Sequence, residues 1–475
     1  MQVSSNILGT AAEFATELSF DDLPGELISA IKIQCLEVIA ALIAGSRHPF
    51  AQAFRRYASA INGGQMAEPS VGLGVLYPIG ELLPISLAIA GNAGLSHCSE
   101  LDPIHSTSVV CAPALIHPAL WSVMPRGITG RQYLVSAAVG TEIAVRFGLC
   151  LRGPELLARG WWPSSICGGF GTAAAFASLL RLENKQAEQA LSIACLQAGG
   201  LITGGAEGPL ARHFVFGRAA ADGYQSVCLA NAGFTGPRRA LEDPRGLASA
   251  LGLNADFSYL SGIGKSFSLT DIGLKPFASS RQSHSSLAAF IDLMQTHGLS
   301  PSDVEKVEVL VPTPIAKMLS RSAYPDNAMG AVGHGRYLIA VAAYDRQVLP
   351  QQFTNARLAD PLLAEFMNKV RIVADEQMDQ QYPENWPAAV IVETSSCRYR
   401  NEVANPPGDP RNPLAESERL DKFRRLVVPI AGEERCNRLI QAVNQLEHMD
   451  DVLELTKLLI IQGRDGYGGN DEPRL

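Results

Sequence analysis

Lys275-Pro276-Phe277-Ala278-Ser279-Ser280-Arg281-Gln282-Ser283-His284 is where this chain changes character. Before it, over residues 8–275, apolar positions recur at helical spacing and Ala-rich segments return at 132–145, 170–180, 186–195 and 218–232. After it, residues 304–312 alternate Val307, Val309 and Val311 with Lys306 and Glu308, which is the two-residue period of a strand. Residues 370–374 and 388–394 are two further strand candidates, with helical pieces at 285–298 and 336–345. The fold class predicted is mainly α: a large discontinuous all-helical domain plus a smaller α+β lid domain. Residues 1–275 form the N-terminal part of the helical domain, 276–404 the lid, and 405–475 the C-terminal helices that rejoin the helical domain. Asn405-Pro406-Pro407-Gly408-Asp409-Pro410 reads as a rigid polar linker, followed by helix over 416–462 and a loose tail at 463–475.

Working outward, Asp22, Pro24 and Glu26 mark a helix start, Asn184 a cap and Gly233 a stop. The apolar stretch 27–44 is interrupted by Lys32, Gln34 and Glu37, so it predicts a helix packed in protein rather than a membrane span. Residues 1–15 lack the basic start and apolar centre of a secretory signal, which points to the cytoplasm. A net charge of -8 without a long basic run gives no reason to expect nucleic acid. The nine cysteines are dispersed without a CxxC pair, so reduced thiols are expected, and no structural metal.

Three polar islands interrupt apolar or small-residue stretches, where unpaired charge is costly to bury. The first holds His97, Glu100, Asp102 and His105 within nine residues, a density suited to an acid/base pair or a proton relay. It could also ligate a metal, but HxH and HExxH spacings are absent; the bland alternative is a helix end whose polar groups cap one another. The second, Arg212-His213, follows Gly204-Gly205-Ala206-Glu207-Gly208-Pro209 and would put an arginine near a helix start, where it can grip a carboxylate; a solvated surface turn is the alternative. The third is the opening stretch: Lys275 and Arg281 can neutralise carboxylates, Ser279, Ser280 and Ser283 donate, and His284 exchanges protons near neutral pH. Its place between the two patterns puts it beside a cleft between domains. Trp161-Trp162-Pro163 would line a pocket or belong to the core. No GxSxG elbow and no strand-borne GxGxxG is present.

In order and spacing these stretches resemble the MmgE/PrpD family nearly end to end. The likeness runs through His97-x-x-Glu100-Leu101-Asp102-x-x-His105, then Gly168-Gly169-Phe170-Gly171-Thr172 and Gly217-Arg218-Ala219-Ala220. It continues through Lys275-Pro276-Phe277, Arg281 and His284 to Pro407-Gly408-Asp409-Pro410 and Lys422-Phe423. The resemblance implies a homodimer and chemistry on a small di- or tricarboxylate without metal or organic cofactor, by proton transfer beside a carboxylate. A lyase of the 2-methylcitrate dehydratase kind is the reading it favours. A carboxylate epimerase of the iminodisuccinate kind, a decarboxylase, and a non-catalytic carboxylate-binding relative are the alternatives. The candidate catalytic residues are Glu100, Asp102, His105, Lys275 and His284; the candidate substrate-binding residues are His97, Arg212, Arg281, Ser280 and Trp162. Pro103, Cys111, Trp162, Arg212, Val215 and Ser280 depart from the family pattern, several of them at positions that carry protons in relatives. These departures point away from dehydration or decarboxylation and toward another reaction or lost catalysis.

Overall fold

Small residues at helical spacing set how the N-terminal half packs. In the computed structural model, which describes residues 6–61, 72–123, 126–203, 207–321 and 324–461, the helices Ile85–Cys98, Ala112–Val123, Gly130–Cys150, Pro163–Leu179, Asn184–Gln197 and Ala211–Asn231 pack against one another. A Cβ at Gly140 would stand 2.8 Å from the Gly171 carbonyl, and one at Gly171 would stand 2.6 Å from that of Gly140, so the two backbones meet only because both are glycine. Gly217 plays the same part where Ala211–Asn231 crosses Ile85–Cys98, because a methyl there would overlap the Ala90 carbonyl. Residues 204–206 of the glycine-rich turn, and the tail at 463–475, lie outside the described residues.

Local signals fix the helix ends. Thr129 and Gln132 form a reciprocal capping box at the start of Gly130–Cys150, with Gln132 N–H donating to Thr129 Oγ1 at 3.3 Å and Thr129 N–H to Gln132 Oε1 at 2.9 Å. Glu183, rather than Asn184, caps Asn184–Gln197. Gly233, at φ +90°, follows the end of Ala211–Asn231. The polar interruptions of Gly25–Gly45 are met inside the protein: Gln34 Nε2 donates to the Leu269 carbonyl at 3.0 Å, and Glu37 pairs with Lys422. Gly25–Gly45 and Gly130–Cys150 are long and apolar enough to cross a membrane, yet both are largely buried against other elements of this fold.

The second half carries the sheet. β1 (Leu73–Leu76) and β2 (Glu81–Pro84) form a hairpin, and β3 (Ile104–His105) pairs antiparallel with β4 (Ile272–Gly273). The main sheet uses β5 (Lys306–Val311), β6 (Val370–Ala374), β7 (Ala388–Glu393) and β8 (Arg398–Val403) in the order β6-β5-β7-β8. β5 and β6 run parallel, and the other neighbours antiparallel. β5 buries Val307, Val309 and Val311, and helices His284–Thr296 and Gly335–Asp345 pack on the sheet. β8, Arg-Tyr-Arg-Asn-Glu-Val, was not expected: its polar edge-strand composition hides the pattern that betrays β5. The fold is thus mainly helical, with a large helical part and a smaller part built on a mixed four-stranded sheet.

The expected helix at 416–462 is broken at Gly432 (φ +81°) into Glu416–Ala431, Glu433–Asn444 and the short Leu453–Leu458. The first two pack on Gly25–Gly45. The expected linker is also a packed element, because Asp409 is 1% exposed and bonded to Arg281. All nine cysteines are free thiols.

Replacing Gly217 with Ala should force the Ile85–Cys98 helix away and cost about 1–3 kcal/mol, the usual penalty of overpacking. Urea denaturation followed by circular dichroism checks this, and an unchanged midpoint would show that the crossing yields freely.

Candidate active site

Two residues of strand pairing bring the first and third islands together across some 170 positions of chain. Ile104 pairs with Gly273 and His105 with Ile272, so the residues just outside that ladder, Asp102 and Lys275, face each other. Lys275 Nζ lies 3.1 Å from Asp102 Oδ1 and 3.3 Å from Glu100 Oε2, and all three side chains are almost wholly buried. His97, in the last turn of Ile85–Cys98, places Nδ1 3.0 Å from Asp102 Oδ2 and Nε2 3.9 Å from Glu100 Oε1. The second island closes the group: Arg212, second residue of Ala211–Asn231, puts Nη2 3.2 Å from Glu100 Oε1 and lies over the Trp162 ring at 5.0 Å.

The electrostatics follow from this geometry. Burial pushes the Glu100 and Asp102 carboxyls up, but Lys275 and His97, with Arg212 at Glu100, outweigh it and hold both below the ordinary carboxylate range. Burial would lower Lys275, yet Asp102 and Glu100 more than offset this and raise it. The result is a fixed ammonium between two fixed carboxylates. Asp102 thereby holds the His97 ring with Nδ1–H toward the carboxylate and Nε2 free, the arrangement that orients a proton-carrying imidazole.

These groups line a cavity of about 250 Å³. His97, Glu100, Trp162, Arg212, Lys275, Ser280 and Arg281 reach its wall, with Cys111, Ser164, Arg321 and the apolar Ile104, Val109, Ile202 and Met318. Glu100 (φ 51°) and Val109 (φ 56°) hold left-handed backbone there, a conformation a β-branched residue rarely adopts. Among the described residues, His97 Nε2 and the Nε atoms of Arg212 and Arg281 are buried without a hydrogen-bond partner. Such a concentration of unmet donors and acceptors suits a polar ligand.

The candidates therefore separate. Asp102 stands behind the wall as the partner of His97 and Lys275. His105 and His284 are not among the lining residues. His105 Nδ1 accepts from the Ser108 N–H at 3.1 Å, and burial lowers its pKa to about 4. His284 Nε2 donates to the Ser279 carbonyl at 3.1 Å, and burial, helped by Arg281 and Lys275, holds it well below the ordinary histidine value. Arg281 is anchored by Asp409 at 3.3 Å and the Leu274 carbonyl at 3.1 Å. Lys422 donates to the Lys275 carbonyl at 3.0 Å while paired with Glu37, fixing the backbone that carries the central ammonium.

Arg321 escaped the sequence reading, since nothing around it marks a cation as buried. Glu37 had a signal: a carboxylate inside an apolar helix demands a partner. His97, Asp102 and Cys111 also offer ligand atoms within 4.8 Å of one another. That carboxylate is already shared by His97 and Lys275, and burial beside Asp102 keeps the thiol protonated, so the trio is a hydrogen-bonded set poorly suited to a cation.

A helical body and a smaller sheet-bearing part together wall one cation-rich cavity. The chain belongs to the MmgE/PrpD family: the family's N-terminal domain matches residues 9–260 and its C-terminal domain residues 277–448. It is 25% identical over 477 residues to the cis-aconitate decarboxylase-like protein oryM of Aspergillus oryzae, covering 96% of this chain and 97% of that one. It is 24% identical to the cis-aconitate decarboxylase of Aspergillus terreus over 96% of both chains. The human cis-aconitate decarboxylase is also 24% identical, over 93% of this chain and 92% of that protein.

Lys275→Met should leave two buried carboxylates without their ammonium and cost about 3–5 kcal/mol at neutral pH. In the intact protein, Glu100 and Asp102 have folded pKa values below their unfolded ones, so their contribution is present above about pH 4 and is lost as pH falls through that range. Without Lys275 burial acts less opposed, the folded values rise, and the variant should gain stability relative to the wild type as pH drops from 8 to 5. Denaturant titrations at both pH values check the sign; parallel behaviour of the two proteins would count against the buried triad.

Proposed function

We propose that this chain is a lyase that acts on a small di- or tricarboxylate by proton transfer at a carbon beside a carboxylate. One observation carries the reading: four cations, Lys275, Arg212, Arg281 and Arg321, and an Asp-held imidazole converge on one small cavity. Among the described residues, three carboxylates, Glu100, Asp102 and Asp409, are set against those cations, which leaves room for the negative charge of a polycarboxylate.

Within that class, loss of CO₂ from a cis-aconitate-like acid is the reaction we favour, in keeping with the names of the relatives. Arg212 and Arg321 hold the carboxylates that stay. The leaving carboxylate sits toward Ile104, Val109, Ile202 and Met318, where a charged group is poorly solvated and neutral CO₂ is not. Cleavage leaves an electron pair on carbon, which takes a proton from His97 Nε2; the balance is RCO₂⁻ + H⁺ → RH + CO₂. Asp102 stabilises the imidazolium that forms before that transfer. His97 is the one imidazole among the described residues that line the cavity, which makes it the main proton carrier of this site. Dehydration, the expectation from sequence, would run the proton the other way: neutral His97 Nε2 takes a proton from the carbon beside a carboxylate, and the hydroxyl on the next carbon leaves, protonated, as water.

Proton NMR in D₂O with citrate-, aconitate- and aspartate-derived acids tests the proposal. The expected result is an enzyme-dependent product with one carboxylate fewer and one deuterium on a carbon of the allylic unit that CO₂ loss leaves. An alkene with water released would replace decarboxylation by dehydration, an inverted centre would mean epimerisation, and inert folded protein across the panel would overturn the lyase reading.

Two substitutions divide the roles. His97→Gln should lower kcat by about 10²–10⁴ with little change in substrate affinity, the range for losing a general acid. Arg321→Gln should instead raise KM by about ten- to a hundred-fold, as expected for losing a charged hydrogen bond. Steady-state kinetics on both variants distinguish these effects, and the reverse pattern would exchange the assignments.

A further inference from the structure

His97 is the inner end of a row of three imidazoles. The His97 and His213 ring centroids are 5.5 Å apart, and His213 lies 5.2 Å from His48 in an edge-on arrangement. His213 is completely buried, and neither of its ring nitrogens has a hydrogen-bond partner among the described residues. His48 is half-buried between exposed Arg47 and Pro49, and its Nδ1 accepts the Phe50 N–H at 3.2 Å. Aromatic rings enclose the row: Phe50 lies edge-on to His213 at 5.5 Å, and Phe216 stacks on His97 at 4.3 Å. A buried imidazole with both nitrogens unmet is costly if its only role is packing, because Phe would fill the same space without that penalty. Since no His213 nitrogen bonds a neighbouring ring directly, a proton passes between these rings through a bridging water or after a ring turns.

We propose that His48, His213 and His97 form a proton relay from solvent to the closed cavity, supplying the proton that each decarboxylation consumes. The proposal rests on the lyase reading above and names residues that reading does not use. Solvent protonates His48 at Nδ1, displacing the Phe50 contact, and the proton on Nε2 passes inward. His213 accepts it on one nitrogen and releases the proton on its other nitrogen to His97 Nε2, which lies 3.9 Å from Glu100 Oε1, the oxygen paired with Arg212. Each relay ring finishes neutral with its tautomer exchanged, and one solvent proton has reached the site. Burial depresses the basicity of both outer rings, His48 to about 4, with neighbouring imidazoles adding to the effect, so neither traps the proton in transit. The charged groups facing the inner end are Asp102, Glu100 and Arg212.

The test uses His213→Phe, which keeps a ring in the aromatic row, and His48→Asn, which keeps an acceptor for the Phe50 N–H. With an active substrate, His213→Phe should lower kcat about ten-fold or more in dilute buffer, leave KM within about two-fold, and recover as imidazole buffer is added. The wild type should ignore buffer concentration. An unchanged kcat, or a loss that no buffer restores, overturns the relay. A second readout needs no substrate. In the ¹⁵N-histidine-labelled full-length protein, the His213 ring N–H should exchange with water faster in the wild type than in His48→Asn, and equal rates overturn the proposal. Wild type that is inert toward every acid while His213 exchange depends on His48 would refute the lyase reading but leave the relay standing as a proton path.

Discussion

One buried ammonium organises this molecule. Lys275 lies between Glu100 and Asp102, and each of the three would be prohibitively costly inside protein without the others. Much of the surrounding architecture keeps that ammonium in place. The β3–β4 ladder sets its distance to the carboxylates, and Lys422 and Glu37 hold its carbonyl. Asp409 secures Arg281 beside it. Because Asp102 is shared between Lys275 and His97, the same charge balance also sets the orientation of the imidazole that faces the cavity. Structure and chemistry therefore depend on a single electrostatic compromise.

The helical body is the rigid half of that arrangement. Its Ala- and Gly-rich helices approach so closely that side-chain volume, rather than hydrogen bonding, limits their position, and dense packing of this sort resists small displacements. His97 and Arg212 sit on two helices that cross at Gly217, so their relative placement is set by backbone contact. Arg321 and Met318 come from the sheet-bearing half, which completes the cavity from the other side.

Much of this was legible in the sequence, and the reasons for the rest are physical. Val307, Val309 and Val311 announce β5 because one face is buried and the other wet, whereas the inner face of β8 mixes Tyr399 and Val403 with polar Asn401 and is only half-buried, which blurs the contrast. The three islands were visible because charge beside apolar sequence is conspicuous, and the structure draws His97, Glu100, Arg212, Lys275 and Arg281 to one wall. Sequence spacing could not tell His284 and His105 from His97, since all three stand among similar neighbours. Only geometry shows two of them bonded to local backbone away from the cavity lining and the third bonded to Asp102. Asp409 looked like part of a linker because proline and glycine surround it, while its partner Arg281 is 128 residues away.

The order in which the chain leaves the ribosome gives the β3–β4 pairing another meaning. Glu100 and Asp102 emerge with the helical half, well before Lys275, and the groups that secure Lys275 and Arg281, Asp409 and Lys422, come later still. Until then Arg212 is the one fixed cation paired with the two carboxylates, so the nascent helical body must keep that corner hydrated or protonated. The two-residue ladder thus joins groups made far apart in time, and the interior of the first half is finished only by residues made after it.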